Sequence, residues 1–214
     1  MKLYSYFRSS AAYRVRIALN LKGLPYDILP VHLLRDGGQH CAPDYTERNP
    51  DALVPTMTLD DGSVLHQSLA MIEYLEEVHP TPSLLPGTAL DRAYVRGIAQ
   101  HVACDIHPVD NLRVLGYLKR LGVDDEARNA WYRHWIEVGF TSLETRLAKS
   151  ARTGLFALGD TPTMADACLV PQIFNAHRFK VDMTAFPTLQ RIYEHAGTLD
   201  AFARAAPAAQ PDAE

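Results

Sequence analysis

Phe7-Arg8-Ser9-Ser10-Ala11-Ala12-Tyr13-Arg14-Val15-Arg16-Ile17-Ala18-Leu19 decides how the rest of this chain is read. Ahead of it, Lys2-Leu3-Tyr4-Ser5-Tyr6 is aromatic-rich and reads as a strand. Behind it, Val15, Ala18, Leu19 and Leu21 fall at helical spacing as far as Gly23, a helix stop. A strand therefore hands over to a helix whose first N–H groups lie beside two hydroxyls and flanking arginines. Unpaired amides and the helix dipole put about half a positive charge at such a turn, which suits an anion. The plainer reading of Ser9 or Ser10 is an N-cap, worth about 1 kcal/mol.

With 214 residues, 47% hydrophobic and 21% charged, the chain can bury a real core in one or two domains. A net charge of -4 gives no broad field for nucleic acid or an anionic membrane, so any anion site must be a pocket. No apolar run approaches the roughly 18 residues of a membrane span, and Met1-Lys2 leads into the first strand rather than a signal peptide. The expected location is the cytoplasm. Cys41, Cys104 and Cys168 lie far apart with no CxxC spacing, so they read as small buried apolar residues rather than disulfide or zinc ligands. Clustered His/Cys ligands, HExxH and GxGxxG are also missing, and no metal is expected.

Pro25-Tyr26-Asp27-Ile28-Leu29-Pro30-Val31 is a second strand, which makes a parallel, right-handed β-α-β unit. Residues 32 to 53, with Gly37-Gly38 and Asn49-Pro50, read as a mobile loop carrying one short helix. Leu53 to Leu59 and Ser63 to His66 flank Asp61-Gly62, the signature of an antiparallel hairpin. Pro55 sits at a strand start, where a cis Val54-Pro55 bond would turn the Val54 backbone outward, towards a peptide-like ligand. Gln67-Ser68 precede Leu69, Ile72, Leu75 and Val78, an amphipathic helix ending near His79-Pro80. Ser68 is a cap or an anion ligand.

The order β-α-β, loop, β-β-α is that of a thioredoxin-like domain over residues 1-80. A proline-rich linker, His79 to Gly87, leads to an all-helical domain over 88-214. Helical patterns cover 90 to 120, 125 to 149, 163 to 178 and 187 to 203, and Ala205 to Glu214 reads as a frayed tail. His107-Pro108 bends the first pattern, either to pack under the kink or to aim His107, Asn111 and Arg113 at a ligand. Thr163-Met164-Ala165-Asp166 is a capping box assigned to folding, and Trp131, Trp135 and Phe140 read as core.

Ser9-Ser10 at the first helix, Val54-Pro55 and Gln67-Ser68 on this two-part layout resemble the glutathione transferases over nearly the whole chain. Arg8-Ser9-Ser10 through Tyr13 to Leu19, with Asp105-Ile106-His107-Pro108, Asn111-Leu112-Arg113-Val114-Leu115 and Arg178-Phe179-Lys180-Val181-Asp182, is similar to the zeta class. That class usually has Ser-Ser-Cys, and Ala11 stands at the cysteine position. A mechanism needing that protein thiol is put in doubt, while one using the thiol of glutathione is not. The resemblance implies glutathione as cofactor and a homodimer. Gln67 and Ser68 would then hold the γ-glutamyl end, Val54 would pair with the cysteinyl backbone, and His40 would reach the glycine carboxylate. Ser9 and Ser10 would face the sulfur, with Arg14, His107, Asn111 and Arg113 completing the cofactor contacts. The implied substrate is a cis-enedione dicarboxylate, for whose charges Arg8, Arg14, Arg113 and Arg178 are the candidates, since a guanidinium pairs with carboxylate in bidentate fashion. Arg8, Arg113 and Arg178 are assigned to the substrate, and Arg8 is also grouped with Ser9 and Ser10 as catalytic. The expected reaction is conversion of maleylacetoacetate to fumarylacetoacetate in aromatic degradation. Maleylpyruvate isomerisation, general glutathione conjugation and non-enzymatic binding are the alternatives.

Overall fold

The computed structural model describes residues 1 to 214. Strand β1 (Lys2–Ser5), helix α1 (Ser10–Leu21), strand β2 (Asp27–Pro30), a short helix α2 (Pro43–Thr46), strands β3 (Thr56–Thr58) and β4 (Val64–His66) and helix α3 (Ser68–Val78) follow in that order. The sheet runs β2-β1-β3-β4, with β1 parallel to β2 and antiparallel to β3, and β4 antiparallel to β3. The parallel unit and the hairpin expected from the residues both form. Gly62, at φ 87°, makes the Asp61-Gly62 tip possible. Gly23, at φ 65°, closes α1 as its amide meets the Asn20 carbonyl at 3.1 Å.

Alternation along β1 turns Leu3 and Ser5 inward. Leu3 and Met57 pack with Val15 and Leu19 of α1 and Met71 and Leu75 of α3 in one buried cluster. Tyr6, Phe7, Val31, Tyr45 and Val54 form a second. In the loop from 32 to 53, short single turns over Arg35–Gly37 and Gln39–Cys41 precede α2.

Helices α4 (Ala89–Gln100), α5 (Leu112–Arg120), α6 (Asp125–Lys149), α7 (Met164–Arg178), α8 (Pro187–Gly197) and α9 (Asp200–Ala205) complete the chain. The pattern expected over 90 to 120 is broken by a π-helical stretch, His101–Ile106, in which the His107 amide reaches back five residues to the Val102 carbonyl at 2.9 Å. Pro108 has no amide to continue the ladder, and the chain turns before α5. The capping box of α7 forms as expected: Thr163 and Asp166 exchange hydrogen bonds, and Asp166 also accepts from the Ala157 amide at 2.9 Å. Burial drives the Asp166 carboxyl up to about 6 despite these donors.

Two compact units result: Met1–Leu84 with Gly197–Glu214, and Leu85–Ala196. The boundary therefore differs from the expected split, because α9 packs on α1 and takes the following residues with it. Ala205 to Glu214 is not frayed. Gln210 is buried and its amide donates to the Arg204 and Ala206 carbonyls at 2.8 and 2.9 Å, bonds that composition does not announce. Two further expectations need correction. Cys168 is buried, but Cys41 and Cys104 are exposed because they fall on solvent faces of their turns. Phe140 is core, whereas Trp131 and Trp135 are half-buried, and the Trp131 indole donates to the Val109 carbonyl at 2.9 Å.

Candidate functional site

Strand register gathers four chain segments. Tyr4 near the end of β1 pairs with Thr56, the first residue of β3, and Thr56 pairs with His66, the last residue of β4. Ser5 pairs with Pro30, the last of β2. The turn Tyr6 to Ser9, the start of the 32 to 53 loop, Val54-Pro55 and Gln67-Ser68 consequently meet the sheet at one end.

At the first of these, Ser9 is the N-cap of α1: its Oγ accepts from the Ala12 amide at 3.2 Å, and its own amide donates to the Tyr6 carbonyl at 2.9 Å. The cap reading of Ser9 is thus realised, but it uses only the oxygen as acceptor and leaves the hydroxyl proton to donate elsewhere. Ser10 opens the helix and is buried. No acidic residue stands in the first turn to neutralise the dipole. Arg8 is half-buried: its guanidinium donates to the Tyr6 hydroxyl at 2.8 Å and lies 4.9 Å from the centre of the Phe7 ring.

Arg14 is 2% exposed and donates through Nη1 to Ser68 Oγ at 3.3 Å, joining α1 to the start of α3. Ser68 is not a cap. It is the first helical residue, and Gln67 occupies the capping position without a side-chain bond. Gln67 is at φ 67°, a left-handed conformation that costs a non-glycine residue about 1–3 kcal/mol and is concentrated at ligand clamps.

The Val54–Pro55 peptide is cis, as expected. Val54 precedes the ladder, and its side chain packs with Tyr6 and Phe7. Its position is fixed by two residues that the sequence reading passed over. The Tyr45 hydroxyl and the Asn49 amide both donate to the Leu53 carbonyl, at 2.5 and 2.8 Å, and both also meet Thr56 Oγ1 at 2.9 Å. Asn49 is 2% exposed, a degree of burial its Asn-Pro turn signal does not suggest. His40 is half-buried rather than solvated; burial lowers its imidazole from the usual range, and Nδ1 has no protein partner.

In the second unit, His107, Asn111 and Arg113 follow the π-helical stretch, a feature that recurs at functional sites. Asn111 caps α5 by accepting from the Arg113 amide at 3.0 Å, and Arg113 is exposed. Arg178 is exposed at the end of α7, 4.6 Å from the Phe179 ring, which stacks on Tyr132 at 3.6 Å. Burial pushes the Tyr132 phenol up, against the opposing Arg178 charge. Asp110 was missed: it is 5% exposed, both carboxyl oxygens are buried without a protein partner, and burial raises it to about 8.

No helix is long and apolar enough to cross a membrane, and no group of three or more His, Cys, Asp or Glu side chains could hold a metal. A β2-β1-β3-β4 sheet packed by α1 and α3 on a shared core, and followed by a helical unit, has the layout of the glutathione-transferase class of protein. The glutathione S-transferase N-terminal domain matches residues 8–78 and the C-terminal domain residues 125–195. This chain belongs to that family. It is 50% identical to a probable maleylacetoacetate isomerase of Vibrio cholerae over 99% of this chain and 97% of that protein. Among solved structures, the holo form of a zeta-class maleylpyruvate isomerase superposes with a TM-score of 0.96 at 49% identity, covering 100% of both chains. A maleylacetoacetate isomerase of Methylobacterium extorquens AM1, with bound malonate and glutathione, superposes with a TM-score of 0.95 at 42% identity, again over 100% of both chains.

Proposed function

We propose that this protein is a glutathione-dependent cis–trans isomerase of a maleyl-type diketo acid, with maleylacetoacetate as the substrate. The observation that carries this reading is Ser9, whose oxygen is committed to the helix cap while its proton remains available at an unneutralised helix N-terminus. Bound glutathione supplies a thiolate that adds to the conjugated cis double bond and departs after rotation, so the tripeptide is regenerated. Ser9 donates to that sulfur, and the α1 dipole lowers the pH at which it ionises from the usual 8.5 or so. The residues present fit the tripeptide. Ser68, held by Arg14, and the strained Gln67 offer a carboxylate ligand at the head of α3. Val54 offers backbone groups beside the ladder, and His40 has a buried ring nitrogen, Nδ1, without a protein partner.

The two carboxylates of the substrate are assigned to Arg8, Arg113 and Arg178, and His107 and Asn111 to further cofactor contacts. Ala11 at the class cysteine position removes a protein thiol without removing the one that reacts. Reduced glutathione makes the cytoplasm the working compartment, and a homodimer is the assembly, to be checked by light scattering.

Maleylpyruvate is the second substrate to consider, on the strength of the likeness to the maleylpyruvate isomerase. Turnover of each compound with and without glutathione, followed by enol absorbance, tests the proposal. Loss of turnover on omitting glutathione is expected; equal rates without it exclude this chemistry, and the faster substrate decides between the two.

A further inference from the structure

We propose that Asp212 is a positioning residue for the β1–α1 turn, and that the segment from Ala205 to Glu214 is thereby part of the glutathione site. This inference rests on the function proposed above. The backbone of Phe7 is held through both of its flanking peptides. Its amide donates to Asp212 Oδ2 at 3.0 Å, and its carbonyl accepts from Arg16 Nη2 at 3.0 Å. Arg16 is 0% exposed, and its other donors reach Ser5 Oγ at 3.0 Å and the Ala205 carbonyl at 2.9 Å. One guanidinium thus ties the end of β1, the turn and the end of α9 together, and Asp212 returns from the far side to complete the frame.

The Phe7 amide and the Tyr6 carbonyl share one peptide, and that carbonyl accepts from the Ser9 amide, so rotation of the Tyr6–Phe7 peptide moves the serine that faces the sulfur. Asp212 touches none of the groups assigned to cofactor or substrate; it acts through this peptide and through its charge on Arg16, which holds the Phe7 carbonyl. The segment also reaches the loop that carries His40. Glu214 lies 3.3 Å from His32 Nε2 and pairs with Arg35, while His32 Nδ1 accepts the Leu34 and Arg35 amides at 3.1 and 2.9 Å. The His32 amide in turn donates to Gln39 Oε1 at 2.8 Å, next to His40. Two of the four segments gathered at the sheet end are therefore braced by residues more than 170 positions away in sequence, Asp212 on Phe7 and Glu214 on Arg35.

The test compares the full chain with Asp212→Ala and Asp212→Asn, reading glutathione affinity by calorimetry and the ionisation of the bound thiol from the pH dependence of its ultraviolet absorbance. Loss of one charge-assisted hydrogen bond on the turn predicts about tenfold weaker binding in Asp212→Ala and thiol ionisation at a higher pH. Asp212→Asn keeps an acceptor oxygen and recovers most of both. A merely structural role lowers the melting temperature of Asp212→Ala and leaves both readouts where they were, which overturns the inference. Should that variant not fold, amide hydrogen exchange of the unaltered protein decides: Phe7 is expected to be protected, and further protected by glutathione, and free exchange overturns the inference. If the unaltered protein does not bind glutathione, the reading of the site falls first and this inference with it.

Discussion

Arg14 Nη1 and Ser68 Oγ meet at 3.3 Å, both side chains buried, and this bond ties α1 to the head of α3 at the sheet end. Because Arg14 holds Ser68 and both are assigned to the cofactor, their contributions are coupled. Ser68→Ala and Arg14→Lys each weaken glutathione binding about tenfold, and the double variant weakens it by less than the product of the two. Calorimetric titration of the four proteins measures this, and strictly additive free energies would separate Arg14 from the cofactor.

Ser9 caps α1 and is proposed to donate to the sulfur, and two readouts on one variant separate these roles. Ser9→Ala removes the cap and costs about 1 kcal/mol of stability. It also removes the donor to the sulfur and lowers kcat about 10²–10³-fold. Thermal melts and steady-state rates on the same preparation report the two effects, and an unchanged rate beside the lost stability leaves Ser9 as a cap alone.

Lys22 and Glu76 form a buried pair at 2.8 Å that fastens the segment leaving α3, since Lys22 also donates to the His79 and Pro82 carbonyls at 2.6 and 2.9 Å. Glu76 accepts in addition from Ser83 Oγ and the Leu84 amide, at 2.5 and 2.8 Å. Burial alone would raise the Glu76 carboxyl, but the Lys22, Ser83 and Leu84 donors outweigh it and hold it below 4.5. A depressed carboxylate contributes stability above its unfolded value, and that contribution disappears as the pH falls through the folded one. Lys22→Ala leaves the carboxylate without its cation and costs about 3–5 kcal/mol at neutral pH. Urea midpoints at pH 7 and at progressively lower pH test this: the difference between parent and variant should narrow on acidification.

Asp110 carries the opposite sign. Its folded value of about 8 lies above the unfolded 3.8, so the folded state holds a proton that the unfolded chain has released. Stability is full below the unfolded value and is lost as the pH rises through the folded one, at up to about 1.4 kcal/mol per pH unit between them. Asp110→Asn removes this dependence, so its stability relative to the parent should climb from pH 5 to 8 and level off above. Parallel stability curves for the two proteins would refute the assignment.

The elements that the residues announced are those whose signals are local. The strand–helix handover at Ser9, the stop at Gly23 and the Asp61-Gly62 hairpin each depend on a few adjacent side chains and their backbone preferences, and each formed as read. Features settled by distant partners were not legible. The tail from Ala205 to Glu214 has the composition of a loose end, but its order comes from Phe7, Arg16 and Arg35, which no local pattern connects to it. Asn49-Pro50 signals a turn and says nothing of the Leu53 carbonyl four residues on. The π-helical register at His101–Ile106 was not legible from Pro108, which marks a bend but not its pitch. In the candidate site, the motifs named the residues proposed to face the ligand, whereas Tyr45, Asn49, Arg16 and Asp212, which brace the segments that carry them, surfaced only in three dimensions.

Strand pairing also says where this molecule can be altered with least consequence. Thr58 and Val64 close the hairpin at the opposite end of the sheet from Val54 and Gln67, and the tip between them is exposed from Asp60 to Val64. A dye, affinity handle or guest loop grafted there hangs at the sheet end remote from the residues proposed to hold ligand, which makes this tip the attachment point to choose for immobilising the enzyme in working form.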